Sequence, residues 1–405
     1  MDRKFSFVEM FVGAGGSHLG FKKQGDFRTL LVSDIDKDMC RTFEYNNREV
    51  KNVLCRDIYD LSAKEILERT GLGKGELDVM FGGVVCKGFS LAGVRSSSDP
   101  RNNLYKEYIR LVAGTKPKVA IIENVPGMAS MTITNGEDLS EKQRNAAQDA
   151  WKKLHKLNGL KSAARKGVAD REQMEEIKAI ERNRSVYMKM IKKGSVRVID
   201  DIIRRYRRVG YNVLSPRILN AADYGDATER RRLIIVAIRK DLDPSLFRWP
   251  EKISGSRRTV RDALASIDYS ADDPDNVPMS HSPKTVERFS YIPEGRNVVS
   301  VMDKLPDDLK ISKFYSRGAT MRLAWDRPAP TLVPGHSNFP VHPKENRSIT
   351  VREAATIMGF PNSYRFFGSH TKRCEMAGQA VAVGMASAIA ESVSRFLRAA
   401  AYQIP

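Results

Sequence analysis

One cysteine and one glutamate occupy positions at which catalytic groups are often found. Cys86 comes shortly after the glycine pair Gly82-Gly83, which follows a strand-like apolar segment. Glu123 directly follows a second apolar segment, Val119–Ile122. A lone cysteine is usually an inert small apolar residue. A cysteine at the end of one strand, with a carboxyl group at the end of a neighbouring strand, is better placed to act as a nucleophile assisted by an acid.

A glycine-rich turn near the N-terminus indicates a site for a nucleoside. Gly13, Gly15 and Gly16 lie in this turn, and Asp34 comes 18 residues after the last of them. Glycines let the backbone approach a ligand closely, and an acid at the end of the second strand can bind ribose hydroxyls. The strict dinucleotide pattern G-x-G-x-x-G is not met, because His18 stands at its third glycine position. The turn therefore favours a nucleoside cofactor and leaves its identity open.

Short apolar strands alternate with helical stretches in the N-terminal part of the chain. The predicted strands cover residues 5–12, Thr29–Ser33, Asn52–Cys55, Leu77–Phe81 and Val119–Ile122, and the predicted helices run to Lys23 and over Asp38–Asn46 and Ala63–Thr70. This alternation is typical of an α/β fold with a mostly parallel, doubly wound sheet. Chemistry in such sheets takes place at the carboxyl ends of the strands. The residues predicted at those ends are Gly13, Asp34, Asp57, Cys86 and Glu123.

The charge of the chain indicates the class of its partner. The 68 lysines and arginines exceed the 49 acids, which gives a net charge of +19 and a pI near 9.7. An excess of this size favours a polyanion such as nucleic acid, because each neutralised phosphate releases counterions. A merely basic protein is the alternative that charge alone leaves open. The length of 405 residues exceeds a single compact core, so two domains are expected.

The cysteines and the apolar segments exclude several classes of protein. Cys40, Cys55, Cys86 and Cys374 show no C-x-x-C spacing, which argues against zinc and against a disulfide framework and favours a reducing compartment. No metal site is predicted. No run of eighteen apolar residues occurs, so the sequence predicts no transmembrane helix, and the first residues do not form a signal peptide.

The composition changes over residues 137–193. This segment has no proline, 15 Lys or Arg and 9 acids, with apolar residues at loose helical spacing. It predicts an excursion of two helices that is broken near Gly159 or Gly167. A solvated insertion without a specific role and an insertion that contacts nucleic acid both fit this pattern.

The sheet pattern resumes after this insertion. A helix is predicted over Val196–Arg208, followed by strands near Asn212–Ile218 and Leu233–Ile238. Residues 246–342 are rich in proline and in short strand-like segments, which predicts a second domain. The last helix, Met376–Ala401, is rich in small residues and is expected to pack back on the sheet.

These motifs, taken in order along the chain, resemble those of the DNA cytosine-5 methyltransferases. Phe11–Gly16 resembles the glycine motif with which that family binds S-adenosylmethionine, and Asp34 and Asp57 resemble its ribose-binding and adenine-binding acids. The resemblance implies S-adenosylmethionine as the cofactor. The residues that it assigns to the cofactor are Phe11, Gly13, Gly15, Gly16, Asp34, Ile35, Asp57, Ile58, Lys87, Gln379 and Val381.

The same resemblance assigns the catalytic residues. Cys86 stands at the position of the family's nucleophile, and Glu123-Asn124-Val125 is similar to its Glu-Asn-Val motif. Arg230 and Arg232 resemble the paired arginines of its Gln-x-Arg-x-Arg motif. Later segments agree in the same order: Arg322, Pro328–Thr331, Thr350–Glu353, Gly359–Pro361 and Gly378–Val381. Ordered agreement across so many motifs is specific, whereas each motif alone would be weak.

The chemistry that the resemblance implies requires these residue types. A thiolate from Cys86 adds to C6 of cytosine and activates C5, which takes a methyl group from the sulfonium of the cofactor. Glu123, kept protonated in a dry pocket, donates to N3 of the base, while Arg232 holds the base and the glutamate. The cytosine must leave the base stack, and the Gly- and Ser-rich segment Gly88–Ser98 is expected to close over it.

Some positions depart from the family's pattern. Val84-Val85 replaces a proline pair before the cysteine, Lys87 replaces a glutamine after it, and Gln379 replaces an asparagine of the last motif. A lysine ammonium close to a sulfonium is a like-charge pair, which an anion between them would relieve. Carboxy-S-adenosylmethionine would provide that anion, and the product would be 5-carboxymethylcytosine. Methyl transfer, with Lys87 turned outward to a DNA phosphate, is the leading interpretation.

Two further alternatives stay open at this point. One branch of the family uses the same fold and mechanism on tRNA, so an RNA cytosine-5 methyltransferase is possible on the motifs alone. A catalytically inactive nucleic-acid binder on the same scaffold is the other alternative. The presence of Cys86, Glu123 and Arg232 argues against the inactive binder.

The resemblance also implies a domain organisation and partners. Residues 1–245 would form a Rossmann-like, S-adenosylmethionine-dependent methyltransferase domain with the insertion at 137–193. Residues 246–345 would form a smaller, irregular, β-rich target-recognition domain, and residues 346–405 would return to the catalytic domain. The expected partner is double-stranded DNA, bound by a monomer in the cytoplasm, at the nucleoid, without a membrane. A companion restriction enzyme would be a further partner.

Overall fold

The computed structural model describes residues 4–84, 103–133, 139–165, 167–311, 320–333 and 339–401. Cys86, Lys87 and the segment Gly88–Ser98 therefore lie outside the described residues. The strands are β1 (Phe5–Met10), β2 (Phe27–Asp34), β3 (Asn52–Cys55), β4 (Val79–Gly83), β5 (Val119–Asn124), β6 (Thr132–Ile133), β7 (Val196–Arg197), β8 (Tyr211–Val213), β9 (Arg217–Asn220), β10 (Thr228–Glu229), β11 (Arg231–Arg239) and β12 (Ala329–Pro330). The α-helices are α1 (Gly16–Gln24), α2 (Lys37–Asn46), α3 (Ala63–Thr70), α4 (Leu104–Thr115), α5 (Glu141–Arg165), α6 (Arg171–Arg182), α7 (Arg184–Lys193), α8 (Val198–Arg208), α9 (Val260–Leu264), α10 (Pro283–Ser290), α11 (Val351–Ile357), α12 (His370–Gln379) and α13 (Val383–Ala401).

The central sheet has the strand order β3-β2-β1-β4-β5-β11-β8, and β9 pairs with β11 outside this path. The pairs among β1 to β5 are parallel. The three pairs of β11 are antiparallel. The prediction of an α/β fold with a mostly parallel sheet is thus confirmed, and the sheet becomes mixed at one end because β11 enters it from the opposite direction.

Both faces of the sheet are covered by apolar layers. Along β11, Ile234 and Val236 face one core cluster, and Leu233 and Ile235 face the other. The first cluster includes residues of α1 and α13, and the second includes residues of α4 and α8. Strands that are buried on both sides read as continuous apolar runs, which is the pattern of the central parts of β5 and β11.

The last helix is part of the core, as predicted, but it is interrupted. Ala380 has an extended backbone with ψ of 150°, so α12 ends at Gln379 and α13 begins at Val383. One stretch among the described residues, His370–Ala401, is apolar and long enough to cross a membrane by composition, and 72% of that apolar window is buried inside the protein. Core helices pass the same test, so this stretch is weak evidence for a membrane span.

Two other elements differ from the sequence prediction. The single strand predicted over Asn212–Ile218 is divided into β8 and β9, because Pro216 between them cannot donate a ladder hydrogen bond. The predicted break near Gly167 is present, with φ of 72° at that glycine, while Gly159 lies inside the continuous helix α5. The insertion has a further interruption at Asn183, so it contains three helices rather than two.

The described part of residues 246–345 contains fewer strands than expected. Its one strand is β12, and short helices make up most of its regular structure. Proline at the start of several of these helices and aspartate or asparagine caps favour single turns over extended strands. A small separate core is held by Arg322, whose guanidinium donates to the carbonyls of Phe289, Ile292 and His342 at 2.6–2.8 Å.

His18 is buried rather than ligand-facing, and it should make stability depend on pH. Burial lowers the pKa of His18 to about 4, and its Nδ1 lies 3.0 Å from Thr29 Oγ1. In the unfolded chain the imidazole of His18 takes up a proton near pH 6.5, whereas burial prevents this uptake in the folded protein until the pH is much lower. The contribution of neutral His18 to the free energy of unfolding is therefore present above pH 6.5 and is lost as the pH falls towards 4. Between pH 7 and pH 5 we expect this loss to be about 2 kcal/mol.

The measurement is urea unfolding of the wild type and of His18→Gln at both pH values. The variant should lose about 2 kcal/mol less than the wild type over this interval, whatever its stability at pH 7. His155→Gln, at an exposed histidine of α5, should follow the wild type. Parallel pH profiles for the wild type and His18→Gln would contradict the assignment.

Candidate active site

The glycine turn after β1 has a backbone that few residues could adopt. Phe11, Gly13 and Gly15 have φ of 59°, 55° and 85°, which is the left-handed region. A non-glycine residue in this region stores strain, which is common where a backbone is shaped for a ligand. A β-carbon on Gly16 would lie only 2.1 Å from the carbonyl oxygen of Val381. The turn is therefore held against the segment between α12 and α13.

Gly16→Ala should destabilise the protein strongly. The added methyl group meets the backbone of Val381, which cannot rotate away as a side chain could. We expect the free energy of unfolding to fall by about 3 kcal/mol. Gly159→Ala is the matched control, because a β-carbon on Gly159 has nothing within 4 Å in the middle of α5. Urea unfolding should show that the control is neutral or up to about 1 kcal/mol more stable; equal losses in both variants would contradict this interpretation.

Two acids lie at the ends of neighbouring strands beside this turn. The Asp34 carboxylate ends β2 and accepts hydrogen bonds from the backbone N–H groups of Gly13 at 2.9 Å and Asp36 at 3.0 Å. Burial raises the pKa of Asp34. Asp57 follows β3 and caps a short helix by accepting the N–H of Tyr59 at 3.1 Å. Because β2 and β3 are parallel and adjacent, both acids stand at the same edge of the sheet.

The residues after these acids fit a nucleoside. Ile35 is an apolar side chain that is 64% exposed, directly after Asp34. Ile58, after Asp57, is the buried residue of the short helix Ile58–Asp60. An exposed apolar side chain next to a carboxylate can stack on a purine, and the two acids can accept hydrogen bonds from ribose hydroxyls and an amino group. The predicted cofactor residues Phe11–Gly16, Asp34, Ile35 and Asp57 are thus brought to one edge of the sheet.

Glu123 and Arg232 form a buried pair at the same edge. Arg232 Nε lies 3.0 Å from Glu123 Oε1, and both side chains are about a tenth exposed. The register of β5 with β11 places Glu123 opposite Ile234, so Arg232 extends past the end of β5. Burial raises the pKa of Glu123, against the opposing effect of Arg232 and Arg230. The carboxyl group is therefore held in a site that disfavours its charged form.

Arg230 is placed differently from Arg232. It is buried and donates to the carbonyl oxygens of Gln379 at 2.9 Å and Leu332 at 3.5 Å. It ties β11 to the end of α12, while the Gln379 side chain is exposed and donates to Glu375. Arg230 is thus held by backbone carbonyls in the interior, whereas Arg232 pairs directly with Glu123.

Comparisons with known proteins identify the family. The C-5 cytosine-specific DNA methylase family matches this chain over residues 5–183 and 186–395. The chain belongs to this family of DNA methylases. It is 28% identical to the type II methyltransferase M.PspPI of a Psychrobacter species over 98% of this chain and 81% of the relative. It is also 28% identical to M.Eco47II of Escherichia coli over 97% and 79%.

A solved structure agrees with the fold of this methylase. The crystal structure of a DNA modification methyltransferase encoded within an E. coli prophage covers 98% of this chain and 100% of its own, with a TM-score of 0.66 and 20% identity. As a member of its family the enzyme uses S-adenosylmethionine and acts on DNA. Among the residues that the structure describes, no cluster of three His, Cys, Asp or Glu side chains could hold a metal ion.

Two residues near the methylase site make contacts that the sequence analysis did not predict, although the motif itself included Asn124. Asn124 donates from Nδ2 to the carbonyl of Val84 at 3.1 Å, so it fixes the chain two residues before Cys86. Glu9 in β1 is buried, accepts from the Ser17 hydroxyl, and burial raises its pKa well above the usual range. Glu9 could have been singled out from the sequence, because it is an acid within a mostly apolar strand segment. The Asn124 contact spans forty positions and had no local signal.

Proposed function

We propose that this enzyme methylates C5 of cytosine in duplex DNA with Cys86 as its nucleophile and Glu123 as its proton donor. The observation that supports these roles is the buried Glu123–Arg232 pair at the strand edge where the chain passes Val84 towards Cys86. S-Adenosylmethionine supplies the methyl group when it is bound. The glycine turn, Asp34, Ile35, Asp57 and Val381 would hold it.

Four residues of the chain have different roles in the reaction of the cytosine base. The thiolate of Cys86 adds to C6 and breaks the C5–C6 double bond; after C5 has taken the methyl group, C5 loses its proton and the thiolate leaves, which restores the double bond. Glu123 holds a proton for N3 of the cytosine, since burial favours its neutral form. Arg232 fixes the orientation of that carboxyl group and donates to the base. Asn124 donates to the carbonyl of Val84 just after β4, and this contact supports a common site for the cysteine and the glutamate.

The test is transfer of label from S-adenosylmethionine to duplex DNA and, separately, to tRNA. We expect labelled 5-methylcytosine in DNA. A duplex that carries 5-fluorocytosine at target positions should trap a covalent complex through Cys86, because the fluorine cannot leave as a proton would. Label in tRNA alone would favour an RNA substrate, and the lack of both label and complex would favour an inactive binder.

Carboxymethyl transfer is the second candidate reaction. The observation that favours it is the joint presence of Lys87 and Gln379 where the family has glutamine and asparagine. Gln379 lies two residues before Val381, whose carbonyl oxygen is next to Gly16 of the glycine turn, and this supports a place for Gln379 near the cofactor. Mass spectrometry of DNA treated with carboxy-S-adenosylmethionine would show 5-carboxymethylcytosine. Methylcytosine alone with that donor in excess would exclude this reaction, and Lys87→Gln should lose only the carboxylated product.

We further propose the organisation in which the enzyme works. Residues 1–245 with 346–405 form the catalytic domain and residues 246–345 read the DNA sequence. The enzyme acts as a monomer in the cytoplasm, at the nucleoid. The relatives named as type II methyltransferases support a companion restriction nuclease as a partner.

A further inference from the structure

The helix α7 (Arg184–Lys193) presents positive charge without a matching acid. It carries Arg184, Lys189, Lys192 and Lys193, and its sequence contains neither Asp nor Glu. No residue of α7 is buried, and only Tyr187 and Ile191 are partly covered. A helix with this composition holds its charges in solvent on every side that does not face its neighbours.

Three of the four acids of the helix α6 already form ion pairs with lysines of the insertion. Glu175 and Glu176 of α6 form ion pairs with Lys178 and Lys156 at 2.9 Å and 2.6 Å, and Glu181 pairs with Lys161. Within the described part of the chain, Lys189, Lys192 and Lys193 have no ion pair. Two of these pairs join α5 to α6 and neutralise charge there, whereas α7 carries four cations and no acid within its own sequence.

The cationic end of α7 leads back to the segment that follows Glu123 and β5. A β-carbon on Gly194, directly after α7, would be 2.3 Å from the carbonyl oxygen of Gln143 in the first turn of α5. This first turn adds Lys142 and Arg144. The chain then enters β7, which pairs with β6, and β6 follows the short helix Pro126–Ser130 just after β5. The root of the insertion therefore stands a few residues from Glu123 and Asn124.

We infer that Lys189, Lys192 and Lys193 bind the phosphodiester backbone of duplex DNA beside the target base pair. The inference rests on the proposed DNA substrate and adds a contact outside the catalytic cleft. The ten-residue helix spans about 15 Å, which matches about four base pairs of backbone. Phosphate contacts of this kind strengthen binding to every sequence and carry no base specificity.

DNA fits this surface better than a membrane. The exposed Val186, Met188 and Met190 are distributed among the cations and do not form one apolar face. A membrane-bound helix would separate an apolar side from a charged side. The polyanionic substrate is already required at this edge of the sheet, where Glu123 lies.

The experiment measures DNA affinity against salt for the full-length enzyme. The variant Lys189→Gln/Lys192→Gln/Lys193→Gln is compared with Arg165→Gln/Arg171→Gln/Lys178→Gln, which removes the same charge from the distal part of the same insertion. On a duplex of about 40 base pairs of arbitrary sequence, the α7 variant should lower the slope of log K against log salt by about 2–3 and weaken binding about tenfold or more at 0.15 M salt. The distal variant should retain the wild-type slope.

Three results would overturn the inference. The α7 variant could keep the wild-type slope, or the distal variant could lose as much. Alternatively, the α7 variant could lose binding to phosphatidylserine vesicles with DNA binding unchanged, which would assign the surface to a membrane. Methylation of DNA by the wild type is measured in the same experiments. If the wild type methylates DNA, the proposed function holds, and any of these results then counts against the α7 contact alone. Unchanged melting temperatures are expected, because all six side chains are exposed.

Discussion

A Cys86→Ser variant should bind DNA like the wild type and retain less than about one hundredth of the methyl-transfer rate. The physical reason is the population of the nucleophile. A thiol ionises much more readily than a serine hydroxyl, which provides almost no alkoxide at neutral pH. Transfer of labelled methyl groups to DNA, measured in single turnover, gives the rate, and a filter or gel-shift assay gives the affinity.

Cys55→Ser is the matched control for this prediction. Cys55 is an exposed, free cysteine at the end of β3, and it is outside the residues assigned to the reaction. Its variant should keep the wild-type rate. A Cys86→Ser enzyme with more than about a hundredth of that rate would remove Cys86 from the role of nucleophile. A loss of DNA binding with normal transfer on saturating DNA would contradict it equally.

The elements that were predicted most accurately from the sequence are those whose ends carry a local signal. Helix α3 begins and ends where it was predicted, because Ser62 accepts the N–H of Glu65 at its start and Gly71 has φ of 69° at its end. Gly159 shows the limit of such signals: it lies within α5, where packing of Leu157 against Ile177 and Ile180 maintains the helix. A glycine costs only about 1 kcal/mol in a helix, which tertiary contacts readily exceed.

The composition of the site could be predicted, but its internal geometry could not. The strand-end rule brought Asp34, Asp57 and Glu123 to one edge of the sheet. Spacing alone could not distinguish Arg232, which pairs with Glu123, from Arg230, which donates to backbone carbonyls of distant segments. That distinction depends on how β11 packs against residues more than a hundred positions away. The role of Cys86 stays a prediction, because it lies outside the described residues.

A Glu123→Gln variant should transfer methyl groups roughly 10²–10⁴-fold more slowly than the wild type, because glutamine holds no acidic proton for N3 of the cytosine. The glutamine also leaves Arg232 buried without its partner, which would lower stability. The double variant Glu123→Gln/Arg232→Gln removes both charges, so it should regain stability and remain inactive. Glu172→Gln, at an exposed position of α6, is the control for the charge change.

The pH profile distinguishes a proton donor from a structural glutamate. Burial raises the pKa of Glu123, so the wild-type rate should decline as the pH rises through that value and the carboxyl group loses its proton. Arg232 lowers the pKa of Glu123, so Arg232→Gln alone should move this decline to higher pH. Glu123→Gln should abolish this decline at high pH, because it removes the titrating carboxyl group. A profile in which Glu123→Gln merely scales down the wild-type curve, with the declining limb at the same pH, would show that another group donates the proton.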